Sequence, residues 1–296
     1  MLLTFTVMLI FVITMVTFVS MLPNTIAYEF EKIQLTKERI AVIEQAVNRY
    51  RDLSSTQRMP CPARLNVSIS HNKFGKEINP CFRCTGDFVE GSSGGITCAS
   101  SENVVIGAVP TKTLYLADDY AFDGWGNKFS YAVDIDMAIS ISAIGNNKND
   151  LYIVGIGGTN AKDEAGNDYI DYAKQAIGAV VISHGHDGRG SSNKIGVKKA
   201  CKTANEDGEN CNDDHIFALD RWNKANNSFY DDIIHPIIYD SCDEPTGYTN
   251  ATPESGDSYH SAVRNVYCNI GFTGTPEVIT CKNGKWIGND IICTAP

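Results

Sequence analysis

The first 22 residues, MLLTFTVMLIFVITMVTFVSML, constrain this chain most, because no charged side chain occurs before Glu29. As a helix rising 1.5 Å per residue, such a run covers about 33 Å, enough to cross a hydrocarbon core. The sequence therefore predicts a transmembrane half-helix over residues 1–28. A secretory signal peptide is the alternative, with Thr25-Ile26-Ala27 as its small-residue cleavage site. Against it, the first basic residue is Lys32, and the run is longer than the usual apolar stretch of a signal.

Past Pro23 the text keeps a helical period. Ile33, Ile40, Ile43, Val47 and Tyr50 recur three, four or seven residues apart, with Lys37, Glu38, Glu44 and Arg51 between them. One long helix follows, bent at Pro23 rather than ended there, whose amphipathic half (29–57) needs a body to cover its stripe. Pro60-Cys61-Pro62 stops it, and an irregular Gly/Ser/Cys-rich stretch runs to about Ser101.

Val-, Ile- and Tyr-rich segments bounded by Gly, Asn and Asp then read as strands: Asn103–Val109, Lys128–Val133, Asp150–Gly155 and Ala176–Ser183. With no long helical period between them, an antiparallel sheet is expected. The fold class is accordingly α+β: a long N-terminal helix, transmembrane and then amphipathic, packed on a small antiparallel sheet and followed by a disulfide-rich all-β module. The excess of 35 Asp+Glu over 25 Lys+Arg, a net charge of −10, argues against nucleic acid and against adsorption to anionic lipid. Ten cysteines suit disulfides and an oxidising compartment.

Several short motifs occur in a telling order. Arg58-Met59-Pro60-Cys61-Pro62-Ala63 closes the helix, Gly107-Ala108-Val109-Pro110 follows with Leu114 and Leu116, then Asp123-Gly124-Trp125-Gly126-Asn127 with Tyr131, then Ser183-His184-Gly185-His186-Asp187-Gly188. This order resembles type IV pilin-like proteins, above all the major pseudopilin of type II secretion, over residues 1–220. The resemblance implies a half-helix in the bacterial inner membrane, a globular part in the periplasm or at the cell surface, and partners that are other pilin or pseudopilin subunits. Aligned on Pro23, the acidic residue expected in the family's apolar half falls near Thr6, and no basic leader precedes it.

From Cys242 the spacing becomes Cys242-x25-Cys268-x12-Cys281-x11-Cys293, with Val266-Tyr267-Cys268, Gly271-Phe272 and Gly284-Lys285-Trp286 inside it. Four cysteines leave three connectivities open. The stretch resembles a sushi (complement control) module, which implies the pairs Cys242–Cys281 and Cys268–Cys293 and a protein-binding role. Tyr259, Phe272 and Trp286 are candidate contact residues, Trp286 also being a natural core residue.

For the other cysteines one arrangement is Cys61–Cys98, Cys81–Cys84 and Cys201–Cys211; zinc or redox chemistry at Cys81-x-x-Cys84 is the rival reading. His184 and His186 invite a metal-dependent hydrolase, but the run lacks the further Asp-His of such sites. Gly155-Ile156-Gly157-Gly158 resembles a phosphate loop without its helix and reads as a turn. In the pseudopilin family a calcium site is built from two segments, and its matches place Asp187 in the first and Asn210, Asp213 and Asp214 in the second. A solvated acidic loop, clamped by Cys201–Cys211, is the plain alternative.

The function expected is that of a non-enzymatic, membrane-anchored pilin-like subunit, with calcium as its one candidate cofactor and no nucleic acid among its partners. Its domains are residues 1–28 and 29–57 of the helix, a pilin-like body at 58–240 and a sushi-like module at 242–296 that takes an unknown protein or surface ligand. The rival is a secreted binding protein released after Ala27.

Overall fold

The computed structural model describes residues 2–54, 58–78, 97–98, 104–139, 151–154, 175–201, 210–211, 216–219, 230–240, 242–256, 262–282, 285–289 and 291–295. Helix α1 runs Leu2–Leu53. A sheet of five antiparallel strands follows, in the spatial order β1 (Thr97–Cys98), β2 (Val104–Ala108), β3 (Ser130–Asp134), β5 (Gln175–Ser183) and β7 (Ile233–Asp240). A short helix α2 (Ile135–Ile139) continues directly from β3. Strands β4 (Tyr152–Val154) and β6 (Ile216–Ala218) form a separate parallel pair.

Both faces of the central sheet are covered, which is why β2 and β5 read as nearly unbroken apolar runs instead of alternating ones. On one face Val105, Tyr131, Val133, Val181 and Ile237 pack with Ile40, Ile43 and Val47 of α1. On the other, Val104, Ile106, Ala132, Val180 and Ile182 meet Ile153 and Phe217 of the small parallel pair and Leu151 just before it. The ladder of β5 on β7 slips between Ile177 and Ala179, and Pro236 lies within β7 opposite Val180.

The expected transmembrane half-helix, and the α+β class built on it, are overturned. Among the described residues no helix is long and apolar enough to cross a membrane. The fold is mostly β, with one N-terminal helix and bridged sheets. Over Ala27–Leu53, the stretch of α1 whose side chains are described throughout, Glu29, Glu31, Lys32, Lys37, Glu38, Arg39, Glu44, Arg49, Arg51 and Asp52 crowd the helix. Charges of that density are too costly in hydrocarbon. The membrane anchor, and the inner-membrane localisation drawn from it, are corrected with it.

The C-terminal module is a four-stranded antiparallel sheet in the order β11 (Lys285–Ile287), β10 (Glu277–Lys282), β9 (Val263–Cys268) and β8 (Ala251–Pro253). Disulfides Cys242–Cys281 and Cys268–Cys293 tie it, and Cys201–Cys211 clips the body. A sheet this small buries too little apolar surface to stand without such cross-links. Cys61 is also disulfide-bonded. The cysteines of the expected Cys81–Cys84 clip, and the side chain of Cys98, lie outside the described residues.

Candidate functional site

The turn Phe122–Lys128 fastens the helix to the sheet. Asp123 builds it: its Oδ1 accepts from the amides of Trp125 at 3.0 Å and Asn127 at 2.9 Å, and its own amide donates to the Asn127 carbonyl at 2.8 Å. The chain can close so tightly because Gly126 takes φ 87°. The second oxygen, Oδ2, accepts from the Ser183 hydroxyl at the end of β5 at 2.8 Å. Burial pushes this carboxyl up to about 6, against the pull of the donors from Ser183, Asn127 and Trp125. Asn127 Nδ2 donates to the Gly185 carbonyl at 2.8 Å and so joins this turn to the one after β5.

Gly124 then lies directly on the backbone of α1. A Cβ there would collide with the Lys32 carbonyl oxygen, and the Gly124 amide donates to Thr36 Oγ1 at 2.8 Å. Around it, Trp125 Nε1 donates to Glu29 Oε2 at 3.2 Å, and Arg39 donates to the carbonyls of Phe122 at 2.8 Å and Asp123 at 3.1 Å. Glu29, Lys32, Thr36 and Arg39 are spaced by three, four and three residues, one face of a helix. Further along, His235 on β7 pairs with Glu44 at 2.9 Å.

The end of α1 is held by a second polar knot. Glu77 takes both guanidinium nitrogens of Arg58, at 3.0 and 2.9 Å, together with the Cys61 amide at 2.9 Å and the Tyr50 hydroxyl at 3.1 Å. Burial pushes Glu77 up, but the donors from Arg58 and Cys61 outweigh it and hold the carboxyl below its usual range. Burial first, then Glu77, pushes the Tyr50 phenol up to about 12. Beside this knot lies a groove of about 880 Å³, walled by Val42, Ala46, Arg49, Tyr50 and Leu53 of α1 and by the turn Thr113–Leu116.

His184 and His186 are not brought together. His184 continues β5 into the interior, where its Nε2 and the Ser130 hydroxyl share a hydrogen bond of 2.8 Å; burial lowers its pKa to about 3. Gly185, at φ 53°, turns the chain, and His186 stands exposed, 3.8 Å from Glu29. A metal-dependent hydrolase gains nothing from that divergence. Of the calcium candidates, Asp187 gives both carboxylate oxygens to Arg189, to its amide and its Nε, each at 2.9 Å. Asn210 is buried and bonded to Ala218, Tyr230 and Asp232. Asp213 and Asp214 lie outside the described residues, as do Gly155–Gly158. Among the described residues no group of three or more His, Cys, Asp or Glu could hold a metal ion.

In the C-terminal module Trp286 belongs to the inner side. It is partly buried, its Nε1 donates to the Asp243 carbonyl at 2.7 Å, and Arg264 lies 5.1 Å over its ring. Arg264, buried, also bonds Glu244 and the Gly256 carbonyl. Phe272 is half-buried, and Tyr259 lies outside the described residues. The outward side is a different set: Val263, Tyr267, Val278 and Ile287 all stand exposed. Strand alternation with the observed register puts them on one face, since Val263 pairs with Thr280, Asn265 with Val278, and Thr280 with Ile287. The period-2 alternation of Val263, Asn265 and Tyr267 carries this face in the sequence.

Two functional-looking residues escaped the sequence. Lys128 is buried, with its amine donating to the carbonyls of Leu65 and Val67, and burial lowers its pKa to about 8. Arg264 escaped likewise. Each is a single cation inside a strand-like run, and no spacing announces its burial. No protein-family model, no curated protein and no solved structure matches this chain.

Proposed function

We propose that this chain is a non-enzymatic, pilin-like assembly subunit whose α1 packs with α1 of neighbouring copies while the C-terminal module meets a separate partner. One observation carries the reading. The bonds from α1 to the body described above begin at Glu29, yet α1 starts at Leu2, and Met8, Ile10 and Phe11 stand 69%, 59% and 61% exposed. Exposed apolar side chains on a helix favour a neighbour that covers more of them. The order of motifs from Arg58 to Gly188 supports the same reading, as does a helix clamped at many points, since a load-bearing rod must not slide on its body.

The apolar outer face of the C-terminal sheet supports a binding role for that module. The buried setting of His184 favours a structural role over a catalytic one. A photo-cross-linking residue at position 8, in the full chain in its own cells, tests the proposal. Ladders of the chain joined to itself are expected; cross-links to other proteins alone, or none, would overturn it.

A further inference from the structure

We infer that the groove beside the end of α1 receives the Phe30–Glu31 corner of a second copy of this chain, so that copies join head to tail. This rests on the assembly reading above and names the contact that reading leaves open.

The groove is selective in its chemistry. Its walls are mainly aliphatic and aromatic, with Gln45, Ser54 and Thr113 among them; it holds two guanidinium groups, and among the described residues no carboxylate lines it. Arg58 is already committed to Glu77. Arg49 is exposed and, among the described residues, makes no hydrogen bond or ion pair. In a chain of net charge −10 a cationic apolar groove is an unusual local surface, and it favours an acidic, apolar visitor.

The rim adds a second observation. Tyr115 is 96% exposed and holds φ 57°, a left-handed backbone where glycine would sit without strain. A bulky aromatic ring held in solvent at such a position gains nothing from its own fold. It does suit an interface, where aromatic anchors carry much of the contact energy.

The complementary surface is on the same helix. Phe30 is 65% exposed, and the neighbouring Glu31 is exposed with no hydrogen bond or ion pair among the described residues. An aromatic ring beside a carboxylate matches a groove of Tyr50, Leu53 and Tyr115 beside a free guanidinium. Groove and corner are different patches, so the contact is heterologous and propagates rather than closing as a two-fold dimer. With helices parallel, the 19 positions from Phe30 to Arg49 set a step of about 28 Å between copies.

Sedimentation velocity of the purified full chain over a concentration series provides the test. Arg49→Glu and Glu31→Arg should each weaken self-association about tenfold, and the double exchange should restore it. Tyr115→Gly should weaken association without lowering the melting temperature, which separates lost contact from lost fold. Single exchanges that associate like the parent, a double exchange that stays weak, or a parent chain that is monomeric throughout would overturn the inference. So would decanoate binding in the groove of a monomeric chain, the outcome expected of a small anionic ligand site. If position-8 cross-links persist while the charge exchange has no effect, the groove contact falls and the assembly reading stands.

Discussion

The Gly124 amide donates to the Thr36 hydroxyl at 2.8 Å, and Thr36 donates in turn to the Lys32 carbonyl at 2.8 Å, so the turn and the helix share one hydrogen-bonded chain. No side chain fits between them. Gly124→Ala adds a methyl group that meets helix backbone, which cannot rotate aside. Overpacking of this kind costs about 1–3 kcal/mol. Urea denaturation should show the loss, and hydrogen exchange should show it concentrated in α1 around Lys32. An Ala variant as stable as the parent would mean the turn does not clamp the helix.

Asp123 and His184 pull acid stability in opposite directions. Asp123 titrates near 3.8 unfolded and about 6 folded, so between those values the folded state binds more protons and stability falls as pH rises. His184 moves from 6.5 to about 3, so the unfolded state binds more protons there and stability rises with pH. The two slopes offset each other between about pH 4 and pH 6, each at about 1.4 kcal/mol per unit. Asp123→Asn removes one of them, and its stability should drop more steeply on acidification than the parent's. Denaturation curves at three pH values would check this; parallel dependence would refute the assignment.

Cys242→Ser with Cys281→Ser should cost the C-terminal module about 2–5 kcal/mol, because a sheet of four short strands has little else to restrain its unfolded chain. Hydrogen exchange should accelerate in β9 and β10 while β3 and β5 keep their protection. Equal loosening of both sheets would show that the two fold as one unit.

Arg58→Lys keeps the charge and loses the fork that meets both oxygens of Glu77. The end of α1 should fray, with a stability loss of about 1–2 kcal/mol. Protease nicking near Leu53 is the readout, and an unchanged nicking rate would show the knot to be ornamental.

Periodicity revealed much of the frame. Ile40, Ile43 and Val47 recur at helical spacing and are buried apolar residues of α1, and the Val- and Ile-rich runs mark β2, β3 and β5. What spacing missed is what depends on distant partners. Thr36 is buried because Gly124 happens to lie against it, and Lys128 because the carbonyls of Leu65 and Val67 converge on its amine. The run at the start predicts a span from its length, its apolarity and its missing basic flank, whereas the charges of the described helix, Glu29 and Arg39 among them, bind the body. His184 and His186, two residues apart, looked like a pair until the turn at Gly185 sent them to opposite environments.

Pro236 has a bearing on crowding. It sits in the outermost long strand, where its nitrogen carries no hydrogen to offer an arriving backbone. Sideways accretion of one molecule's sheet onto another is thereby discouraged at that border. Pro236 thus works as a guard against strand-to-strand clumping wherever copies of the chain come close.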